Sequence, residues 1–460
     1  MTKNTFHLVS LGCAKNTVDS DSMAQLLLRD GYRSMDDPSK AAVLIVNTCG
    51  FIGPAKEESY RVLDELAKSK LDGQVLIAAG CLTQRYGVEV ARKVPGIDGI
   101  LGTRRWMDIV QVVREVRKGP HPEPIYHLPE TATVGTDEYD ALRVSIAGAS
   151  AYIKVADGCR RPCAFCAIPL IKGTAVSRPI ESIIHEARTL RDAGLRELVL
   201  IAQDTTDYGH DLGMKDGLAI LLERLCDEVA EPAPLHGGSE GGLDWIRVMY
   251  AYPGYVKDRL IEVMATRKQV LPYLDMPLQH AHPKTLYRMM RPSNMDWVYK
   301  TLGKMREAVK DLSMRTTFIV GYPGETEEEF QALYDFVKEI RFDRVGTFQF
   351  SFEPGTTSAP LGDPVPAPVK QERYERLMEL QQNISLQVNQ SYVGKTLDVL
   401  VEGFDNGLSI GRSYRDAPEI DGLVLVEGQA KVGAIVPVRI SGAMAYDLTG
   451  ALVEPALIKL

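Results

Sequence analysis

Cys159, Cys163 and Cys166 stand in the stretch Ala156-Asp-Gly-Cys-Arg-Arg-Pro-Cys-Ala-Phe-Cys-Ala167, spaced C-x-x-x-C-x-x-C, and the next cysteine along the chain is Cys226. A four-iron Fe–S cluster takes one thiolate per iron. Three thiolates leave one iron open, and an open iron is a place where a small molecule can bind and react. Structural zinc is the competing reading, but it closes with four ligands, commonly as paired C-x-x-C units, and no second pair is present. A second group of three is spread more widely. Cys13, Cys49 and Cys81 each end a short apolar run: Phe6-His-Leu-Val-Ser-Leu-Gly-Cys13, Ala42-Val-Leu-Ile-Val-Asn-Thr-Cys49 and Val75-Leu-Ile-Ala-Ala-Gly-Cys81. Such runs read as buried strands. Individually each cysteine could be a packed core residue. Three at equivalent strand ends instead read as a second ligand set, again with one iron open. Cys226 differs, because it lies in a helical apolar stripe, Leu218-Ala-Ile-Leu-Leu-Glu-Arg-Leu-Cys-Asp, and reads as core packing.

The elements that must hold these residues can be read from periodicity. Helical patterns at Asp19–Asp30 and Pro54–Ser69 alternate with the first apolar runs. Strand–helix alternation predicts a parallel sheet with helices on its faces, over residues 1–120. Ligands of such sheets bind at the carboxyl ends of strands, so the three thiols should converge at one edge, beside Gly12, Gly50 and Gly80. Gly119-Pro-His-Pro-Glu-Pro opens a polar, proline-rich segment that reads as a linker over 121–144. Six strand–helix units follow in 145–385. The strands fall near Tyr152–Ala156, Glu197–Ala202, Trp245–Tyr250, Tyr273–Pro277, Arg315–Val320 and Val345–Phe350. This repetition predicts an open (β/α)6 sheet, curled like part of a TIM barrel. Chemistry in such barrels sits at the carboxyl ends of the strands. Cys159 follows the first strand, Gln203 the second, Tyr252 the third, Gln279-His280 the fourth and Gly321-Tyr-Pro-Gly324 the fifth. Thr326 with Glu329 fits a capping box, and His280 and His282 read as turn or packing residues. Leu235–Gly242 reads as a surface loop. From Thr396 onward short alternating strands separated by glycines predict a small antiparallel β-barrel of the OB-like kind, over 386–460.

Bulk properties narrow the class. The 460 residues exceed one ordinary domain. Seven cysteines, an odd number, without an apolar leader argue for a reducing compartment rather than a disulfide framework. Apolar runs such as Ala41–Val46 fall far short of a membrane helix, so a cytoplasmic protein is expected. The net charge of −8 disfavours a tight nonspecific nucleic-acid binder.

With these motifs in place, the loop Cys159–Cys166 closely resembles that of the radical S-adenosylmethionine (SAM) enzymes. The two triads together resemble the methylthiotransferase family within them, over nearly the whole chain: an N-terminal cluster domain, a radical SAM barrel and a C-terminal TRAM domain. The resemblance implies two 4Fe–4S clusters, one on Cys159, Cys163 and Cys166 and one on Cys13, Cys49 and Cys81, with SAM chelating the open iron of the first. It implies that Phe165 lies against the adenine. Arg178 and Arg247 become candidates to pair with the SAM carboxylate, structural ion pairing being the alternative. Gln203, Gly321 and Gly324 become candidate SAM contacts.

Two branches of the family compete. One modifies an adenosine beside the anticodon of tRNA (isopentenyladenosine); the other, the RimO type, modifies an aspartate of small-subunit ribosomal protein twelve (S-twelve). Ser10-Leu-Gly-Cys-Ala-Lys-Asn-Thr-Val-Asp-Ser20, Asn47-Thr-Cys-Gly-Phe-Ile52, Asp275-Met-Pro-Leu-Gln-His280 and Gly411-Arg-Ser-Tyr-Arg-Asp-Ala-Pro-Glu-Ile-Asp-Gly422 resemble the second branch. Arg160-Arg161-Pro162 is more basic than the family pattern. Residues 391–460 carry six basic and nine acidic side chains, a balance that suits a basic protein better than phosphate. Asp416, Glu419 and Asp421 are the acidic candidates for holding such a partner. The resemblance further implies an electron donor such as flavodoxin or ferredoxin, a sulfur donor, and nucleic acid at most as a secondary partner. A non-catalytic Fe–S protein is the other class. Only an enzyme would release 5′-deoxyadenosine from SAM under dithionite.

Overall fold

The structure, a computed structural model, describes residues 4–119, 121–130, 141–230 and 242–453. The expected surface loop at Leu235–Gly242 lies almost wholly outside the described residues. The N-terminal unit is a six-stranded parallel sheet of β1 (Thr5–Ser10), β2 (Arg33–Ser34), β3 (Val43–Thr48), β4 (Val75–Gly80), β5 (Gly99–Gly102) and β6 (Ile125–His127), in the order β2-β1-β3-β4-β5-β6. Every residue of β3 is buried, as expected of a parallel strand covered on both faces. Helices α1 (Ala14–Arg29), α2 (Gly53–Ser69), α3 (Cys81–Lys93) and α4 (Ile109–Val116) supply that cover. The proline-rich segment is only partly a linker, because Ile125–His127 pairs with β5 and extends the first sheet.

The middle unit contains the six expected parallel strands. They are β8 (Ser150–Lys154), β11 (Glu197–Ile201), β12 (Trp245–Val248), β13 (Tyr273–Asp275), β14 (Ser313–Val320) and β15 (Arg344–Gln349). An added strand, β7 (Val144–Ala147), runs antiparallel to β8 at the edge. A two-stranded ribbon of β9 (Ala156–Asp157) and β10 (Val176–Ser177) carries the cysteine loop between its arms. Regular pairing runs from β7 to β12 and from β13 to β15. Between β12 and β13 the seam is spanned by a bridge at Ile246 and Val270, a bond from Ala251 N–H to the Asp275 carbonyl and one from Tyr250 N–H to the Asp275 carboxylate. Thr326 and Glu329 form the predicted capping box of the helix Glu327–Ile340.

The last unit is a closed barrel of β16 (Thr396–Asp405), β17 (Leu408–Ser413), β18 (Val424–Glu427), β19 (Ile435–Ala443) and β20 (Leu448–Leu452). It is antiparallel except where β18 and β20 pair in parallel to close it. Its loop 414–421 is driven against the amino ends of the middle strands. Tyr152 donates to the Pro418 carbonyl, Tyr273 donates to Asp421 at 2.6 Å, Arg344 pairs with Asp416 at 2.7 Å, and Arg415 pairs with Asp343 at 3.1 Å. This corrects the sequence expectation for two of the three acidic candidates. Asp416 and Asp421 are buried between the units, and only Glu419 is exposed.

Candidate active site between the N-terminal sheet and the barrel

β1, β3 and β4 are adjacent, so Cys13, Cys49 and Cys81 leave three neighbouring strand ends. Two buried asparagines tie those ends together. Asn16 donates to the Leu11 and Thr48 carbonyls, at 2.8 and 3.0 Å, and its oxygen faces the Cys81 sulfur at 3.6 Å. Asn47 donates to the Asn16 carbonyl and to Ser20. Glycine is required on the two approaches. A Cβ at Gly12 would sit 2.8 Å from the Cys49 Cβ, and one at Gly80 2.4 Å from the Asn47 oxygen; both glycines have positive φ. Burial pushes the Cys81 thiol up to about 12 and raises that of Cys49, while Cys13 is exposed.

The second triad lies at the carboxyl end of β8, beside an open cleft of about 400 Å³ lined by all three cysteines, Arg161 and Gly355–Thr357. Each sulfur faces an N–H donor. The Arg161 amide points at Cys159 (3.4 Å), the Ile168 amide at Cys166 (3.5 Å) and the Arg291 guanidinium at Cys163 (3.5 Å). Donors of this kind suit thiolates in a cluster. Burial pushes Cys159 up to about 11 and Cys166 up to about 12, so cluster loading must displace their protons. Among the described residues no three His, Cys, Asp or Glu side chains converge as a single metal ion would require. A cluster asks for a wider set, because each thiolate takes its own iron. Three thiols on one loop, each faced by an N–H donor, fit an iron–sulfur cluster.

The two units meet beside the triads. Cys81 packs with Ala167, Ile171 and Phe51, directly after the Cys166 turn. Lys15, two residues beyond Cys13, lies 3.3 Å from the centre of the Tyr250 ring at the end of β12. Between the triads sits a buried quartet. Lys154 pairs with Asp19 and with Asp157 (3.0 Å), and Lys172 pairs with Asp19 (3.0 Å) and with Asp157 (3.1 Å). Burial would raise the Asp157 carboxyl, but the two lysines outweigh it and hold the group well below the usual range.

Other predicted site residues divide. Gln203 donates to Asp157 at 2.9 Å, and its buried carbonyl oxygen has no hydrogen-bond partner among the described residues. Phe165 packs against Met289, Tyr322 and Phe350, which places it beside the turn from Gly321 to Gly324. At Gly321 the missing side chain makes room for the Lys370 stem. The two arginines are placed elsewhere. Arg178 makes a bidentate pair with Glu186, at 2.7 and 2.8 Å, and donates to the Lys154 carbonyl. Arg247, fully buried, pairs with Glu197 at 2.8 Å and donates to the Tyr414 carbonyl. Structural pairing, the alternative open in the sequence, accounts for both. Sequence reasoning missed the quartet and Arg291. A lysine within Ala151-Tyr-Ile-Lys154-Val-Ala156, otherwise apolar, was the available signal for a buried charge.

Residues 5–102 match the model described as uncharacterized protein family UPF0004, residues 153–337 the Radical SAM superfamily and residues 393–453 the TRAM domain. The chain is 45% identical to the ribosomal protein uS12 methylthiotransferase RimO of Roseiflexus sp. (strain RS-1), across 98% of this chain and 97% of that protein. It is 47% identical to the protein of the same name from Chloroflexus aurantiacus (strain ATCC 29366 / DSM 635 / J-10-fl), across 97% and 99%. The chain belongs to the RimO family of radical SAM methylthiotransferases. Solved structures repeat the fold of this RimO-family chain at low identity. The radical SAM methyltransferase TsrM from Kitasatospora setae superposes with a TM-score of 0.58 at 12% identity, over 88% of this chain and 79% of that one. The cobalamin-dependent radical enzyme OxsB gives 0.52 at 11%, over 83% and 56%. The radical SAM domain brings an iron–sulfur cluster and SAM as cofactors, and no described helix of this RimO-family chain is long and apolar enough to cross a membrane.

Proposed function

We propose that the chain inserts a methylthio group at the β-carbon of a specific aspartate of ribosomal protein uS12, with Cys159, Cys163 and Cys166 holding one 4Fe–4S cluster and Cys13, Cys49 and Cys81 a second. The observation that carries this reading is the packing of Cys81, from one triad, on the turn that follows Cys166 of the other. When bound, reduced cluster and SAM supply the 5′-deoxyadenosyl radical that an unactivated C–H bond demands, a step outside side-chain acid–base chemistry. The chain's own residues position and shield. Asn16 and Asn47 fix the three N-terminal loops, and the lysine–aspartate quartet holds the two units in register. Gln203, with its free carbonyl oxygen, and Phe165 beside the Gly321–Gly324 turn are the SAM contacts that this reading keeps. An external electron donor and a sulfur donor complete the reaction. The working division is 1–120, 121–144, 145–385 and 386–460, with Ile125–His127 assigned to the first unit.

Relatives named for uS12 across nearly the full chain favour the protein substrate over tRNA. The test is anaerobic turnover with SAM and dithionite on purified uS12 and on tRNA, read by mass spectrometry. A methylthio gain on the uS12 aspartate is expected. A gain on tRNA with none on uS12 would overturn the assignment.

A further inference from the structure

Arg160 and Arg161 sit inside the cysteine loop, but their charge is already answered. Arg160 pairs with Asp207 at 2.6 Å, and Arg161 pairs with Asp204 at 2.5 Å and Asp207 at 3.1 Å. Arg291 differs. It reaches the loop from beyond the helix Pro283–Arg288 and is only 8% exposed. Its guanidinium lies 4.2 Å from the centre of the Tyr252 ring, donates to the Pro277 carbonyl, and donates to the Cys163 sulfur at 3.5 Å. Its Nε has no hydrogen-bond partner, and no carboxylate pairs with it among the described residues. A buried cation without a counter-charge is costly. A thiolate-bound cluster is the anion that would answer it. The three sulfurs are also unequal, because Cys159 and Cys166 receive backbone amides whereas Cys163 receives a side-chain cation. Hydrogen bonds and charge at the sulfurs are among the determinants of a cluster's potential, and a neighbouring cation favours the form that carries one more electron.

We propose that Arg291 is the positioning residue that sets the redox potential of the barrel cluster: stacked on Tyr252, its guanidinium holds the Cys163 thiolate and makes the cluster easier to reduce. The inference rests on the reading that Cys159, Cys163 and Cys166 hold a four-iron cluster. Iron content tests that reading separately, since a full-length chain with Cys13, Cys49 and Cys81 changed to Ala should bind about four irons. In that background, Arg291→Gln and Arg291→Lys are reconstituted anaerobically and titrated by electron paramagnetic resonance against a series of mediators. Arg291→Gln should keep its iron and shift the midpoint potential to more negative values, with Arg291→Lys shifted less. An unchanged potential in Arg291→Gln with full iron would overturn the proposal. If Arg291→Gln binds no iron, the iron-free proteins decide by their thermal melts. Melting at or above the unaltered iron-free protein supports a counter-charge role. An unfolded Arg291→Gln makes the arginine a structural member of the loop and overturns the proposal.

Discussion

The barrel meets its neighbours at both ends, and both joints are built from buried charge. At the amino ends of the strands, loop 414–421 and β17 are locked in. Glu197 bridges Arg247 and Arg412, and Arg315 bridges Asp275 (3.0 Å) and Asp421 (3.4 Å). At the carboxyl ends, Asp19, Asp157, Lys154 and Lys172 join the N-terminal sheet. The first joint contains no cysteine. The second has six cysteines and an open cleft. Buried ion pairs add little net stability over well-packed apolar residues, yet breaking one is expensive. Such pairs specify a geometry. At the amino end the geometry is an end in itself. At the carboxyl end it accompanies the contact of Cys81, from one triad, with the turn that follows Cys166 of the other.

The largest expected effect falls on the open joint. Changing Cys159, Cys163 and Cys166 together to Ala should abolish 5′-deoxyadenosine formation and remove about half of the iron, one of two four-iron clusters. The same change at Cys13, Cys49 and Cys81 should remove the other half while SAM cleavage persists. Iron near four per chain in the unaltered, reconstituted protein would break the two-cluster half of the comparison.

Removing one charge at either joint sharpens the contrast. Glu197→Gln leaves Arg247 and Arg412 short of their shared carboxylate and should cost about 3–5 kcal/mol in chemical denaturation, with cluster content retained at low temperature. Asp19→Asn leaves two lysines facing Asp157 alone. It should cost a similar amount and, unlike Glu197→Gln, should lower methylthio product per SAM cleaved. Equal product ratios in the two variants would mean that the quartet does not hold the triads in register.

Acid should weaken the joint at the amino ends. Burial alone would raise the Glu197 carboxyl, but Arg247 and Arg412 outweigh it and bring the folded value to about 2, against an ordinary value of about 4.3. A depressed carboxyl contributes stability that is present above its ordinary value and is lost as pH falls through the folded one. Melting temperature should therefore decline between about pH 4 and pH 2 more steeply in the unaltered chain than in Glu197→Gln. Parallel curves would remove Glu197 from the acid response.

The sequence exposed the open joint better than the closed one. Cysteine spacing and strand-end placement are local patterns, so both triads, the six barrel strands and the Thr326–Glu329 box could be read directly. Ion pairing across units is not local. Counting charges in residues 391–460 could not show that Asp416 and Asp421 face Arg344 and Arg315, because a carboxylate looks the same in sequence whether it meets water or a distant guanidinium. Arg178 and Arg247 stayed open between two readings for the same reason, their partners Glu186 and Glu197 being brought up by folding. The parallel closure of β18 on β20 and the edge strand Ile125–His127 also depend on long-range pairing, with too few residues in each to leave a periodic signature.

The smallest expected effect belongs to Cys226, the cysteine outside both triads. It is 3% exposed and packs in the barrel core with residues such as Leu222 and Val229, where the helix Gly217–Leu225 passes into a wider turn. Burial pushes its thiol up to about 11, so it stays protonated and behaves as a small apolar group. Cys226→Ser places a hydroxyl in that apolar setting and should cost about 1–3 kcal/mol. Cys226→Ala trades the sulfur for a small void and should fall within about 1–2 kcal/mol of the unaltered chain. Iron content and 5′-deoxyadenosine formation should stay at the unaltered level in both, measured below their melting temperatures. Loss of about four irons in Cys226→Ala would make this residue a cluster ligand and break the assignment of three thiolates to each side of the open joint.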